Sequence, residues 1–326
     1  MTYKGEIVQE YLTKFPNATT RAITRMLIKD YPVDFTESNT RSLVREHRGE
    51  LLNQCIKNTT SVRTEEEKKF AMRKFKTDYK PVKDYILPKS FNRGVIINDL
   101  HIPYHDQKAL ATMVEFAIDY KPNFLYINGD FIDMYQLSRF TKDRRLRDFA
   151  GELEMARNIL ANFKEILDVP IIFKIGNHED RLESYLRINA PELLGIEDFE
   201  IGNLLRFGEM GIIEVKSRQK CMMGKLAVFH GHEFGHQIFS PVNPARGLYM
   251  KAKHSSAAGH HHRTSEHTEK DIADELTATW SIGALCGMHP EYLPFNNWNH
   301  GFATIEIKPS GNYMFGNRKI IEGKIY

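Results

Sequence analysis

Cysteine is nearly absent: Cys55, Cys221 and Cys286 are the only three in 326 residues, and no pair falls at CxxC spacing. A disulfide framework and a thiolate metal or redox site are thereby excluded, and a reducing cytoplasm is the expected compartment. No run reaches the roughly 18 consecutive apolar residues of a membrane span. The opening stretch carries Lys4, Glu6, Glu10 and Lys14 where a signal peptide needs an apolar segment, so a soluble, unsecreted protein is expected. Internal repeats and low-complexity tracts are lacking as well. What is there suffices for a core. Hydrophobic residues make up 41% and charged residues 27%, as in ordinary globular proteins, and the length allows one large domain and one small one.

Charge and histidine are unevenly spread. Residues 1–90 hold 18 Lys and Arg against 12 Asp and Glu, a net of +6, while the remainder is net −3. A basic front segment suits a polyanionic partner. Histidine divides the other way, with only His47 before residue 100 and eight of 14 between His230 and His267.

Residues 1–60 read as a small all-α domain of three helices. Ile7, Val8, Tyr11 and Leu12 share one helical face, Ala22, Ile23, Met26 and Leu27 another, and Leu43, Val44, Leu51 and Leu52 a third. Pro16-Asn17 and Tyr31-Pro32 separate the helices, and Thr36 or Ser38 can cap the third. On that third helix Arg41, Arg45 and Arg48 lie opposite the apolar stripe, the outline of a helix-turn-helix offering guanidinium groups to a nucleic acid. An ordinary solvated face reads equally well, and no glycine marks the tight turn. Residues 61–90 read as a charged helical connector, opened by a capping box at Thr64, Glu65, Glu66 and Glu67 and closed by Pro81 and Pro88.

From residue 91 to 326 short apolar runs end in polar residues. Gly94-Val95-Ile96-Ile97 leads to Asp99 and His101, Phe124-Leu125-Tyr126-Ile127 to Gly129-Asp130, Ile171 through Ile175 to Gly176-Asn177-His178, and Leu226-Ala227-Val228-Phe229 to His230. Such runs read as buried strands, with helical patterns over 108–119 and 152–167 between the first three, an α/β arrangement. The tail returns to strand-like alternation at 302–307 and 320–326. Asp99, His101, Asp130, Asn177, His230, His260 and His262 form a nitrogen and oxygen donor set. That set suits Mn²⁺, Fe, Zn²⁺ or Ni²⁺, and seven donors suit two ions sharing Asp130.

Five blocks in order, Asp99-x-His101, Gly129-Asp130-x-x-Asp133, Gly176-Asn177-His178-Glu179, His230-Gly231-His232 and Gly259-His260-x-His262, resemble the calcineurin-like metallophosphoesterases over residues 91–326. Ser138-Arg139-Phe140 and Trp280-Ser281-Ile282-Gly283 add a likeness to phage-type members with a helical front end, for which the host cytoplasm is the expected location. The resemblance implies a two-sheet β-sandwich flanked by helices, mixing α/β and α+β character. It implies one metal on Asp99, His101, Asp130 and His262 and a second on Asp130, Asn177, His230 and His260, manganese being the first choice. It further implies hydrolysis of a phosphate ester by a bridging hydroxide, with His178 giving a proton to the leaving oxygen.

Other residues carry two readings each. Asp133 either orients a ligand or is a surface residue at a helix start. Arg139 and Arg181 either hold the phosphate or form surface ion pairs. His232 competes with His230 as ligand; His230, ending its apolar run, is preferred, leaving His232 for the substrate or for a contact that supports the ligands. His261 is expected to point away from its neighbours, His105 to line the cleft, and His236, His254 and His267 to be solvated or structural. Cys221 and Cys286 read as small buried hydrophobes. The basic front favours a nucleic acid substrate, DNA or RNA, for a nuclease or end-processing phosphodiesterase. Alternatives are a phosphomonoesterase on nucleotides or phosphoproteins, and a DNA-binding protein with a vestigial catalytic domain.

Overall fold

Strand residues 95–97, 124–127 and 171–173 send alternate side chains to opposite faces, and both faces are buried. Val95, Ile97, Leu125, Ile127, Ile171 and Phe173 enter one core, and Ile96, Phe124, Tyr126 and Ile172 a second. A sheet apolar on both sides must be covered twice. The computed structural model, which describes residues 2–59, 65, 75, 77–139, 148–235 and 242–326, meets that demand with a second sheet on one face and helices on the other. The chain forms two units, residues 1–80 and 81–326.

In the larger unit a seven-stranded sheet has the order β13-β12-β11-β2-β3-β4-β5. β2 (Arg93–Ile97), β3 (Phe124–Asn128), β4 (Ile171–Lys174) and β5 (Ile213–Val215) run parallel. β11 (His300–Ile307), β12 (Tyr313–Ile321) and β13 (Lys324–Ile325) continue antiparallel. The second sheet has the order β1-β6-β7-β8-β10-β9, built from β1 (Tyr85–Ile86), β6 (Cys221–Met223), β7 (Leu226–Phe229), β8 (Ser256–Ala258), β9 (Ser265–Lys270) and β10 (Leu276–Ser281). Cys221, Met223, Leu226, Val228, Ala257 and Trp280 of this sheet meet Ile96, Phe124, Tyr126, Ile172, Ala303 and Ile305 of the other. This is the expected two-sheet sandwich with flanking helices.

The first helices of this unit start where a carboxylate can hold their free N–H groups. Asp106 accepts from Ala109 N at 2.8 Å and Asp148 from Gly151 N at 2.9 Å, opening helices Gln107–Tyr120 and Phe149–Leu167. Their apolar stripes, including Met113, Ala117, Ala156, Leu160 and Phe163, cover the outer face of the seven-stranded sheet.

The smaller unit packs α1 (Tyr3–Lys14), α2 (Thr20–Asp30) and α3 (Glu37–Thr59) around Val8, Leu12, Ile23, Leu27, Phe35 and Val44. Thr2 and Thr19 cap the first two helices. The side chains of Leu51 and Leu52, and most of the capping box at 64–67 with the helix expected after it, lie outside the described residues. Arg41 and Arg45 are exposed. Arg48 differs from the expected open basic face: its guanidinium turns inward, donating to the Ala18 carbonyl and to Thr20 Oγ1 at 3.3 Å. It thereby ties α3 to the start of α2. Arg48→Ala should lower the stability of the helical unit by about 1 kcal/mol, the net worth of a typical hydrogen bond. Arg45→Ala should leave it unchanged, and thermal unfolding of the full chain followed by circular dichroism separates the two.

Candidate metal centre

The parallel strands β2, β3 and β4 end side by side, and each passes into a short loop bearing polar side chains. β7 and β8, parallel to each other, deliver their loops to the same place. The turns are tight enough that Asp99, His101, Asp130, His260 and His262 all adopt left-handed backbone, with φ from 50° to 67°. Each such residue costs on the order of 1 kcal/mol, and that cost clusters at functional sites. Gly129, at φ 87°, has no alternative, because a Cβ there would lie 2.6 Å from His230 Nδ1 and 2.8 Å from Gly176 Cα.

Two triads result. Asp99, His101 and His262 bring one ligand atom each within 4.8 Å of one another, and Asp130, His230 and His260 do the same. His101 Nε2 lies 3.1 Å from His262 Nε2 and 3.9 Å from Asp130 Oδ2. His262 Nε2 is 3.3 Å from Asp99 Oδ1, an oxygen that is buried and has no hydrogen-bond partner. Across the cluster His230 Nε2 stands 3.2 Å from Asp130 Oδ2 and 3.1 Å from Asn177 Oδ1.

Proton positions show what the cluster needs. His230 Nδ1 is 2.6 Å from the Asn128 carbonyl, which can only accept, so Nδ1 carries the hydrogen. In the neutral ring Nε2 then presents a lone pair to two further acceptors, Asp130 Oδ2 and Asn177 Oδ1. His101 Nδ1 faces Asp133 Oδ1 at 3.1 Å, and by the same logic its Nε2 points a lone pair at His262. Such convergence needs a cation, which is either a proton on the imidazoles or a metal ion. With no metal counted, burial disfavours charge on His230 but the carboxylate of Asp130 pushes it up to about 10. Burial likewise opposes charge on His262, while Asp99 drives it to about 9. Burial opposes ionisation of Asp130 and Asp99 too, yet the surrounding imidazoles hold both well below the carboxylate range. Carboxylate, imidazole and amide oxygen are a borderline donor set that fits divalent transition ions.

His178 sits beside both triads, and with His101 and Asp130 its ligand atom forms a third close group. Its Nε2 is 3.7 Å from Asp130 Oδ2. Its Nδ1 is 2.8 Å from the Asp133 carbonyl, fixing the hydrogen there, and its Nε2 accepts from Arg181 Nη2 at 2.9 Å. Arg181 also donates to the Asp133 carbonyl at 2.6 Å, so it belongs to the cluster rather than to a surface ion pair. Asp133 is likewise no surface residue, its Oδ1 standing 3.1 Å from the Nδ1 atoms of both His101 and His178.

The remaining candidates separate. His232 joins neither triad; its Nε2 contacts Ser217 Oγ at 3.0 Å, although its ring centroid is 5.3 Å from that of His230. Arg139 is exposed after the short turn Tyr135–Leu137. His105 is half-buried, His254 exposed, His267 paired with Glu269 at 3.0 Å, and His261 packed edge-on against His260. His236 and Phe140 lie outside the described residues. Cys221 and Cys286 are buried thiols, Cys286 lying 3.8 Å from His262 Nδ1.

Several supporting residues were not read from the sequence. Glu179 is buried and accepts from the backbone N–H groups of Asp130, Phe131, Ile132 and Gly176 at 2.8–3.2 Å, locking two ligand loops together. Asn98 Nδ2 donates to Asp99 Oδ2 and to the Gly283 carbonyl, and Asn128 Nδ2 to the Phe229 carbonyl, joining the strand ends of the two sheets. Lys174, fully buried inside an apolar run, places Nζ 3.0 Å from Glu233 Oε1. Glu233 in turn accepts from His230 N at 3.2 Å and Gly231 N at 2.7 Å. Burial opposes charge on Glu233, but Lys174 outweighs it and lowers the carboxyl pKa.

Residues 93–280 match the family model of the calcineurin-like phosphoesterases, more than half of the chain, and the protein belongs to that family. It is a metallophosphoesterase with a buried His and Asp cluster suited to two metals. It is similar to the Gene 54 protein of Mycobacterium phage L5, 28% identical over 253 residues that span 72% of this chain and 98% of the relative. The Gene 54 protein of Mycobacterium phage D29 is 29% identical over the same shares. Among solved structures, vacuolar protein sorting 29 of Cryptosporidium parvum aligns with a TM-score of 0.40 and 12% identity over 72% of this chain and 94% of that one. No helix among the described residues is long and apolar enough to cross a membrane.

Lys174→Met should be destabilising, by up to about 3–5 kcal/mol, because Glu233 would keep its two backbone N–H donors but lose the cation that balances its largely buried charge. Adding Glu233→Gln to that variant should recover part of the loss. Urea unfolding of the single and double variants measures it, and a Lys174→Met midpoint equal to the parent's would show that the pair adds nothing.

Proposed function

We propose that the protein is a dinuclear phosphodiesterase acting on nucleic acid, as a nuclease or an end-processing enzyme. One metal is assigned to Asp99, His101, Asp130 and His262, the other to Asp130, Asn177, His230 and His260, with manganese as the preferred ion. The observation carrying this reading is the set of nitrogen and oxygen donors converging on Asp130, which only protons on the imidazoles or metal ions can separate. Bound there, two divalent cations supply Lewis acidity, neutralising phosphate oxygens and lowering the pKa of water.

The chain's own residues do the rest. Arg181 is positioned by the Asp133 carbonyl and can turn its guanidinium to the phosphate oxygens, a better-placed phosphate ligand than exposed Arg139 or than His232 on Ser217. Moving Arg181 onto phosphate uncovers His178 Nε2. Freed from the Arg181 charge, that atom can take up a proton from solvent and pass it to the leaving oxygen, while the Asp133 carbonyl keeps the ring oriented through Nδ1. Asp133 Oδ1, in contact with His101 and His178 together, couples the proton donor to a metal ligand.

The choice of nucleic acid rests on the net charge of +6 over residues 1–90 and on exposed Arg41 and Arg45 of α3, the third helix of a helix-turn-helix-like unit. Arg48, turned inward, is not counted among the contacts. Removing two phosphate contacts flattens the salt dependence of log K by about two units of slope. Arg41→Ala with Arg45→Ala should therefore weaken DNA binding and reduce that slope, whereas unchanged binding would return α3 to an ordinary solvated face.

Activity is tested with metal-loaded protein on single-stranded DNA, duplex DNA and phosphomonoesters. Diester cleavage is expected, while turnover confined to monoesters would favour a nucleotide or phosphoprotein phosphatase. His178→Ala should retain bound metal and lose about 10²–10⁴-fold on unactivated diesters, with a smaller loss on a nitrophenyl ester whose leaving group needs no proton. Equal losses on both substrates, or loss of metal, would contradict the proton-donor role.

A further inference from the structure

Beyond β10 the chain runs through residues 287–299, which meet the metal cluster where Trp298 and Asn299 contact His262, before entering β11, and this segment is rich in exposed aromatic surface. Tyr292 is 77% and Phe295 93% exposed, while Trp298 is half-buried. The Trp298 indole stands edge-on to the His262 imidazole with centroids 4.1 Å apart, so the segment is continuous with the first triad. Tyr292 follows, 6.5 Å from Trp298 and inclined at 63° to it.

The segment is held in shape without burying its rings. Asn296 Nδ2 donates to the Met288 and Leu293 carbonyls at 2.6 and 2.9 Å, and Asn296 Oδ1 accepts from Trp298 N at 2.9 Å. His289 Nδ1 contacts the Pro294 carbonyl at 3.1 Å, and Gly287 N donates to the Tyr104 carbonyl at 2.8 Å, anchoring the start of the segment to the loop that carries His101. Exposing Tyr292 and Phe295 to water while fixing their backbone gains nothing for folding. It does preorganise flat apolar faces beside a site that takes a phosphate ester.

We propose that the exposed face of Tyr292, backed edge-on by Trp298, forms a stacking platform for the nucleobase adjoining the scissile phosphate, so that the substrate is a phosphate ester carrying an unpaired base. A base lies one sugar away from its phosphate, and an aromatic face next to a phosphate site matches that spacing in kind, whereas a phosphoserine or phosphothreonine peptide or a sugar phosphate has no large planar group there. Every base has a π-face, so the platform selects unpaired nucleotides without reading sequence. Duplex DNA, whose bases are stacked on one another, cannot use it unless an end frays. This inference deepens the phosphodiesterase reading and rests on it for the position of the phosphate.

The test uses the full-length, metal-loaded protein with two single-stranded thymidylate oligonucleotides, one intact and one with an abasic sugar at the cleaved linkage. Both hydrolysis and fluorescence-anisotropy binding are measured. The platform predicts that the intact strand binds more tightly and has the lower KM, by about 5- to 150-fold. Tyr292→Ala should collapse that ratio, and Tyr292→Phe, which keeps a flat face, should retain it. Competition by thymidine 5′-monophosphate as well as by the oligonucleotide would assign the platform to free nucleotides, and competition by the oligonucleotide alone to single-stranded nucleic acid. Hydrolysis without any preference for the intact strand would overturn the platform while leaving the phosphodiesterase reading in place. Base-dependent binding lost in Tyr292→Ala, but with no turnover of either strand, would keep the platform and overturn the hydrolytic reading. Equal losses on both strands in Tyr292→Ala would also overturn the platform, since they would mark a structural role for the ring.

Discussion

At Asp130 the protein brings His230 Nε2 and His101 Nε2 to 3.2 and 3.9 Å from the carboxylate, and the Asn177 amide oxygen to 3.1 Å from His230 Nε2, in a place water barely reaches. Like partial charges at that distance repel, and burial strengthens the repulsion by removing the dielectric that would screen it. Only a cation relieves it. The tautomers are set by Asn128 and Asp133 on the far side of each ring, so a metal finds lone pairs already aimed. Orientation of a ligand by the hydrogen bond on its other nitrogen is how metal sites are commonly tuned.

The rest of the larger unit can be understood as what holds those groups in place against their repulsion. Left-handed backbone at five cluster residues is maintained because their loops are tied to one another. Glu179 gathers four backbone N–H groups from two loops, and Lys174 with Glu233 fixes the peptide of His230 to the end of β4. Burial and the nearby Asp130 push the Glu179 carboxyl up to about 7, which means the donated N–H groups work against a real desolvation cost. These buried charges do not maximise stability, since an apolar filling often would be at least as stable. They give the loops one arrangement.

Much of this was legible in the sequence, and the reasons divide cleanly. β2, β3, β4 and β7 announce themselves because both faces of each are buried and their apolar runs are broken only by Lys174 of β4. β9, with the sequence Ser-Glu-His-Thr-Glu-Lys, does not, since it is an edge strand open to solvent, and half-buried β12 was recognised only at its end. The residues of the His and Asp cluster stood out because ligand types follow strand ends at short fixed spacings. Glu179, Lys174, Asn98 and Asn128 did not, because their partners lie on other strands and only the packed sheets bring them together. Lys174 interrupts an apolar run, and nothing local indicates that Glu233 waits for it. Arg48 shows the same limit from the other side: helical spacing grouped it with Arg41 and Arg45, but the Ala18 carbonyl within its reach decided where it points.

The most direct test of the dinuclear account is to load the full-length protein with Mn²⁺, remove free metal, count the ions and record the electron paramagnetic resonance spectrum. Two ions per chain with the exchange-coupled spectrum of a pair bridged by Asp130 are predicted, and Asp130→Asn should abolish the coupling. A single ion per chain, or two ions giving only the spectrum of isolated Mn²⁺, would contradict it.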